Sequence, residues 1–375
     1  MESWDGFVTA WGWGVRPVRA LLTTLRHEIR GRMGRRVHFV SDSANWSFKW
    51  DAHYLAKGLG KRLKQEVPII TAPWSLRHQI ILFGNRYAYF FGPRERLHPS
   101  NDLFLIWFHG EPDSNNPRMQ QLFDQLPGAV ERVRKVIVSC TISRRVLLEQ
   151  GVPGEKILLI PLGVDLQRFQ PPDGATRTRM RAELGIPEGA FCIGSFQKDG
   201  DGWGEGNEPK WVKGPDLFLE VMARVKGSHP GLMVLLTGPA RGFVKNGLDR
   251  LGIPWRHRLL EDYQEIVGCY QALDLYLIAS RVEGGPKALM ESWACGVPLV
   301  STRMGMPADW ILHGENGLLA EVDDAPALAA HVAALMEDPA LSAQCRRGGL
   351  ETVQGLDWQW VADQYYAALS DCMVR

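Results

Sequence analysis

Short, almost unbroken apolar runs punctuate this chain, and each is followed by a stretch of helical periodicity. They fall at residues 37–40, 103–108, 136–138, 157–160, 191–196, 232–236, 273–279 and 299–300. A strand with one wet face alternates apolar and polar residues, whereas a strand apolar at every position is covered on both faces. Helices on both faces of a sheet demand parallel strands with helical crossovers, so the pattern predicts a doubly wound α/β architecture. At 375 residues the chain exceeds what one core usually organises, and two such units are expected. No repeat of solenoid length is visible.

The joint between the units is placed at residues 161–174, PLGVDLQRFQPPDG, which carry three prolines and two glycines straight after an apolar run. The first unit is expected over residues 1–165 and the second over 166–357, with the amphipathic segment 358–375 packing back on the first. Residues 198–211, KDGDGWGEGNEPKW, are glycine-rich and acidic where a strand-to-helix turn is ordinarily short. Asp199, Asp201, Glu205 and Asn207 invite a calcium reading, but Trp203 and Lys210 occupy two positions where an EF-hand needs oxygen ligands. No metal site is assigned, and a mobile lid is the expectation.

A net charge of +1 excludes nucleic acid as a partner held by a global field. The balance is uneven along the chain: seven arginines lie between Arg16 and Arg36 against the single acid Glu28. Val18, Leu21, Leu22, Leu25 and Ile29 follow helical spacing there, with Trp4, Trp11 and Trp13 upstream. Two readings stand side by side: residues 1–35 as an interfacial anchor on an anionic membrane surface, or a domain helix with solvated arginines. No apolar run approaches the ~20 residues that span a bilayer, and no apolar leader core follows Glu2 and Asp5. The six cysteines are scattered in apolar surroundings without a C-x-x-C pair. That suits reduced, buried thiols in a cytoplasmic protein, peripheral on the membrane face if the anchor reading holds.

The chemistry concentrates in EGGPKALMESWACGVPLVST, residues 283–302. Glu283 sits on the loop leaving a strand's carboxyl end, where open α/β sheets bind ligands. Pro286 suits the first turn of a helix that Gly296 and Pro298 terminate, and the amides at its start form an anion site. Glu291 lies among Ala288, Leu289, Met290, Trp293 and Ala294. A carboxylate in that company needs a hydrogen-bond partner, which a sugar diol would supply; a surface glutamate on a half-exposed helix is the plainer alternative. Lys213 precedes a helix opening at Pro215, where the macrodipole disfavours a cation, so an anion such as a diphosphate is expected beside it. His109 ends an apolar strand, a position that serves structure as often as chemistry.

These residues resemble the retaining GT-B glycosyltransferases of family four. The donor motif of that family holds two glutamates separated by seven residues, as Glu283 and Glu291 are. The family's strand ending in His-Gly is matched by His109-Gly110, its interdomain segment by residues 160–165 with Phe169 and Pro171, its Lys-Gly by Lys213-Gly214, and its N-G-x turn by residues 316–318. The resemblance covers roughly residues 100–370 and implies two Rossmann-like domains facing a cleft, with the donor held by the second. It implies a nucleotide diphosphate sugar as co-substrate, no cofactor and no metal, and transfer with retention of anomeric configuration. Carried over residue by residue, His109, Lys213 and Glu283 are the catalytic candidates. Lys198, Lys213, Glu283, Gly284, Gly285, Lys287, Ala288 and Glu291 are the donor contacts, Lys198 standing in for an arginine of the family with no counterpart here. Pro286 replaces a common glycine and cannot donate an amide. The glycine-rich loop after the first strand is replaced by SDSANWSFKWDAHYLA, so Asn45, Trp46, Lys49 and Trp50, with Glu111 after the His-Gly pair, are acceptor candidates. Core packing of the tryptophans is equally consistent. The acceptor itself, glycan, lipid or small molecule, is not read from the sequence. The departures keep a second class in view, a non-catalytic sugar- or nucleotide-binding scaffold derived from the same fold.

Overall fold

The structure is a computed structural model that describes residues 35–41, 47–112, 116–202, 204–227 and 230–373. Two six-stranded sheets carry it. The first holds β1 (Val37–Val40), β2 (Ile69–Ile70), β3 (Ile80–Phe83), β4 (Asp102–Trp107), β5 (Val133–Val138) and β6 (Ile157–Leu159), ordered β2-β1-β3-β4-β5-β6. The second holds β7 (Phe191–Phe196), β8 (Leu232–Thr237), β9 (Trp255–Arg258), β10 (Leu275–Ile278), β11 (Leu299–Thr302) and β12 (Leu318–Ala320), ordered β12-β11-β10-β7-β8-β9. Every pairing is parallel. Every residue of β1, β3, β4, β8, β10, β11 and β12 is buried, which is why these strands lack alternation.

In the second sheet the chain starts at β7, winds outward to β9, and returns to β10 on the other flank of β7. The order thus reverses between β7 and β10, and the loops leaving those two strands diverge around a crevice. The helix Pro215–Lys226, after β7, shows how the local sequence supports this. Pro215 opens it, Asp216 lies in its first turn and Arg224 and Lys226 in its last, all matched to the macrodipole. Leu217, Phe218, Val221, Met222 and Val225 form its buried stripe.

The final helix, Trp358–Met373, crosses back and packs on the helix Ser47–Leu63 of the first domain. Tyr54 and Trp358 stack with ring centroids 5.9 Å apart, and a Cβ on Gly58 would stand 2.6 Å from that of Ala362. The two chain crossings between domains lie side by side: Val164 N donates to Leu356 O at 2.9 Å, and Trp358 N to Val164 O at 3.2 Å. All six cysteines are buried. Among the described residues no helix is long and apolar enough to cross a membrane. Of the arginine-rich segment only Arg35 and Arg36 are described, Arg35 lying 2.5 Å from Asp102; the rest, with Trp4, Trp11 and Trp13, lies outside the described residues, as do Asn45 and Trp46.

One expectation is overturned. The acidic stretch after β7 is anchored instead of lid-like. Asp199 is buried against Arg241, 3.0 Å away. Gly200 bridges Pro209, and Gly242 N and Phe243 N donate to Glu205 O and Gly206 O at 2.7 and 2.8 Å. The loop's glycines permit this closeness: a Cβ on Gly206, at φ +74°, would meet the Ala240 backbone at 2.3 Å.

Candidate active site

A cleft of about 410 Å³ opens at the β7/β10 crevice and is closed on its far side by the end of β4 and the helix Ser47–Leu63. Its size suits a small-molecule ligand. The loop leaving β10 delivers Glu283, and a one-turn 3-10 helix, Trp211–Lys213, delivers Lys213. The two loops are stitched together: Arg281 N donates to Val212 O at 2.9 Å, and the Arg281 guanidinium joins Asp216 at 2.7 Å and Asp323 at 2.6 Å while lying over Trp211. Gly214, at φ +60°, has its Cβ position 1.9 Å from Ala279 O, so no side chain fits where the loops touch.

Lys213 Nζ is ion-paired with the Glu283 carboxylate, which also accepts from Ser280 Oγ at 3.3 Å. The anion sought for Lys213 is therefore first of all Glu283. Lys210 and Lys198 line the same wall. Burial and the neighbouring charges of Lys213 and Lys198 push the Lys210 ammonium below the usual lysine range, and burial does the same for Lys198. Three lysines crowded on one wall repel one another, and an anion between them would relieve that repulsion.

Farther along, Glu291 is 4% exposed on the helix Lys287–Ala294, which excludes the half-exposed surface reading. Burial and the nearby Asp51 push its carboxyl well above the ordinary range, and Tyr263 Oη donates to it. Pro286 caps this helix from outside, one position before the first turn assigned to it. Lys287 Nζ lies 2.6 Å from Asp51 Oδ1 of the first domain, and Trp50 tilts against Tyr263 at 5.5 Å between ring centroids. His109 is half-buried at the cleft mouth of β4. Burial, then Arg86, Lys213 and Lys210, push its imidazole well below the usual histidine range, so the neutral ring prevails.

The structure thus brings His109, Lys198, Lys213, Glu283, Gly284 and Gly285 around one cleft, with Lys287, Ala288 and Glu291 continuing its floor. Trp50 joins them, whereas Lys49 and Glu111 are exposed and outside the lining. Asn316 serves the frame: its side chain accepts from Leu312 N at 2.8 Å and its carbonyl from Trp293 Nε1 at 2.7 Å, holding the helix that carries Glu291. Lys210, Asp51, Tyr263 and Arg86 were not singled out from the sequence. Only Lys210, three residues before Lys213, left a signal there; the others arrive through tertiary contact.

Gly284 sets how closely the domains meet. A Cβ there would stand 1.6 Å from Phe108 O, a backbone atom of the opposite domain. Gly284→Ala should cost about 1–3 kcal/mol and spread the cleft. Small-angle scattering should give a larger radius and denaturation a lower midpoint. A variant matching the parent in both would show that Gly284 does not set this spacing.

Comparison with known proteins now bears on the site. Residues 208–352 match the family model described as glycosyl transferases group 1. The match falls within the second domain. The group 1 region contains Lys210, Lys213, Glu283 and Glu291, four of the residues that meet in the cleft. A D-inositol 3-phosphate glycosyltransferase of Catenulispora acidiphila is 28% identical over 233 residues, 58% of this chain and 52% of that protein. The lipopolysaccharide core biosynthesis mannosyltransferase LpsB of Rhizobium meliloti is 28% identical over 226 residues, 58% of this chain and 60% of its own. The chain thus spans about half the length of the inositol-phosphate relatives it matches. Among solved structures, Anabaena Alr3699/HepE in complex with UDP-glucose superposes with a TM-score of 0.73 at 18% identity, covering 90% of this chain and 99% of that one. Sucrose-phosphate synthase from Thermosynechococcus elongatus gives 0.74 at 17%, covering 91% and 99%. These likenesses bear on the fold, which is GT-B: two doubly wound domains facing a cleft.

Proposed function

We propose that the chain is a retaining glycosyltransferase that takes its sugar from a nucleotide diphosphate sugar held mainly by the second domain. The observation that carries this is the single cleft in which Lys198, Lys210 and Lys213 crowd beside Glu283, with Glu291 buried at the far end. As the glycosidic bond breaks, negative charge gathers on the leaving diphosphate, and the three lysines with the amides of Lys287 and Ala288 stabilise it electrostatically. Glu283, held by Lys213, orients sugar hydroxyls; Glu291 accepts from the ribose diol once Tyr263 yields its place. Neutral His109 hydrogen-bonds the transferred sugar from the opposite wall. The nucleophile attacks on the face the diphosphate leaves, and no carboxylate nucleophile is needed. Relatives named as glycosyltransferases, and a neighbouring fold described with UDP-glucose, support the donor class. The acceptor enters past His109 and Trp50.

The test is release of free nucleotide diphosphate from a panel of nucleotide sugars, with the anomeric configuration of the product read by NMR. A protein that binds nucleotide but releases none from any sugar is a scaffold, and an inverted product removes retention.

Glu291 gives a sharper check. Because burial and Asp51 push its carboxyl up, it keeps its proton to a higher pH than an ordinary carboxylate, and the ionised form is the one that accepts two ribose hydroxyls. UDP affinity should therefore rise as pH rises through the raised carboxyl range. Glu291→Gln should weaken UDP by about 1–2 kcal/mol at the high end and lose the pH dependence. Parental affinity in the variant at every pH, by calorimetry, would overturn the ribose assignment.

A further inference from the structure

Arg86 opens the short helix Arg86–Phe90, which packs behind β4. It is 4% exposed. Its Nη1 donates to the carbonyl of His109, and its guanidinium lies between two rings, 4.7 Å from the centroid of Trp107 and 5.2 Å from that of Tyr87. Nη2 is 3.5 Å from Tyr87 Oη and 3.3 Å from where a Cβ on Gly110 would stand. Among the described residues no carboxylate pairs with it; apart from Tyr87, burial alone perturbs it. A methionine would fill the same slot between rings, so packing does not call for a cation here. Burying a guanidinium without a counter-ion is costly, and arginine does not escape by shedding its proton. The expense falls next to the turn that carries His109, where Gly110 takes φ +117°.

We propose that Arg86 is a positioning residue for sugar transfer: it locks the His109–Gly110 turn through the His109 carbonyl and places a fixed positive charge behind the imidazole, so that His109 meets the donor sugar as a neutral hydrogen-bonding ring. The inference rests on the reading of His109 given above. The charged groups around His109 are Arg86 behind it and Lys210 and Lys213 across the cleft, with Glu283 already committed to Lys213. Arg86 alone of the three cations belongs to the first domain, so it acts on His109 whether or not the domains are closed.

The test compares the full chain with Arg86→Met, Arg86→Lys and His109→Gln, each labelled at histidine carbons for NMR; the last variant assigns the His109 signal by its disappearance. In Arg86→Met the His109 titration should move upward toward the ordinary histidine range. Its kcat for nucleotide release, from the nucleotide sugar the parent cleaves fastest, should fall about tenfold with KM little changed. Arg86→Lys keeps the charge but not the planar fork, so its titration should stay low while turnover falls in part. A folded Arg86→Met whose His109 titration and kcat equal the parent's overturns the proposal. Should Arg86→Met fail to fold, parental turnover in Arg86→Lys overturns the positioning role instead. Parental kcat in His109→Gln marks a different failure, that of His109 itself, and it leaves the shift of the titration by Arg86 standing.

Discussion

Arg241→Met should lower unfolding stability by about 3–5 kcal/mol, the largest single effect expected on this fold. Arg241 is 1% exposed and lies 3.0 Å from Asp199, also 1% exposed. Its Nη1 donates to Ser195 O at 2.6 Å, Gln197 O at 2.8 Å and Thr237 O at 2.8 Å, and its Nη2 to Ser195 Oγ at 3.0 Å. One guanidinium thus ties the ends of β7 and β8 to the acidic loop. Methionine fills the volume but leaves a carboxylate buried without its cation and three carbonyls without a donor. Burial already pushes the Asp199 carboxyl up while Arg241 holds it down. With Arg241 gone, the folded-state pKa rises further above the unfolded value. Such a group contributes stability at low pH and loses it as pH rises through the folded pKa, so the variant's deficit should widen between acid and neutral pH. Denaturant unfolding across that range measures both. A loss below about 1 kcal/mol, flat with pH, would show that the pair is not the tie described.

Lys213→Ala should remove about 2–4 kcal/mol of transition-state stabilisation, a fall of about 30- to 1,000-fold in kcat/KM for nucleotide release. The side chain meets the diphosphate wall and at the same time holds Glu283 in place. Alanine therefore withdraws a positive charge from the leaving group and frees the carboxylate that orients the sugar. Adding Glu283→Gln separates the two losses. The double variant should recover whatever stability the orphaned carboxylate cost, but not the rate. UDP affinity should fall in both Lys213 variants and stay near the parent's in Glu283→Gln alone, since UDP lacks the sugar. If Lys213→Ala binds UDP and releases it from the sugar as the parent does, the donor wall assigned here is wrong.

Much of this architecture was legible before any coordinates, and β1, β4 and β7 show why. Each is apolar at nearly every position because helices cover both faces, and that burial leaves an unmistakable run in the sequence. β9, WRHR, left none: it is an edge strand whose residues are half-buried at most, so its polar side chains satisfy it. β3, IILF, is fully buried and was readable in principle, but the loop before it, TAPWSLRHQ, has no glycine to punctuate its start, and only Gly84 marks its end. The acidic loop misled because glycines that look like freedom were there for close approach to the helix Gly242–Leu251.

By itself the sequence determined two doubly wound domains, the crevice end at which chemistry sits, and the residues on the loops leaving β7 and β10, since local pattern and chain order decide these. Tertiary structure alone decided the partners. Lys213 with Glu283 spans 70 positions, Glu291 with Tyr263 spans 28, and Asp51 with Lys287 joins opposite domains. It alone showed that Arg86 lies behind His109 and that Arg241 is committed to the frame. The physical reason is that a charge's partner is chosen by distance and desolvation in space. Neither quantity is written in spacing along the chain.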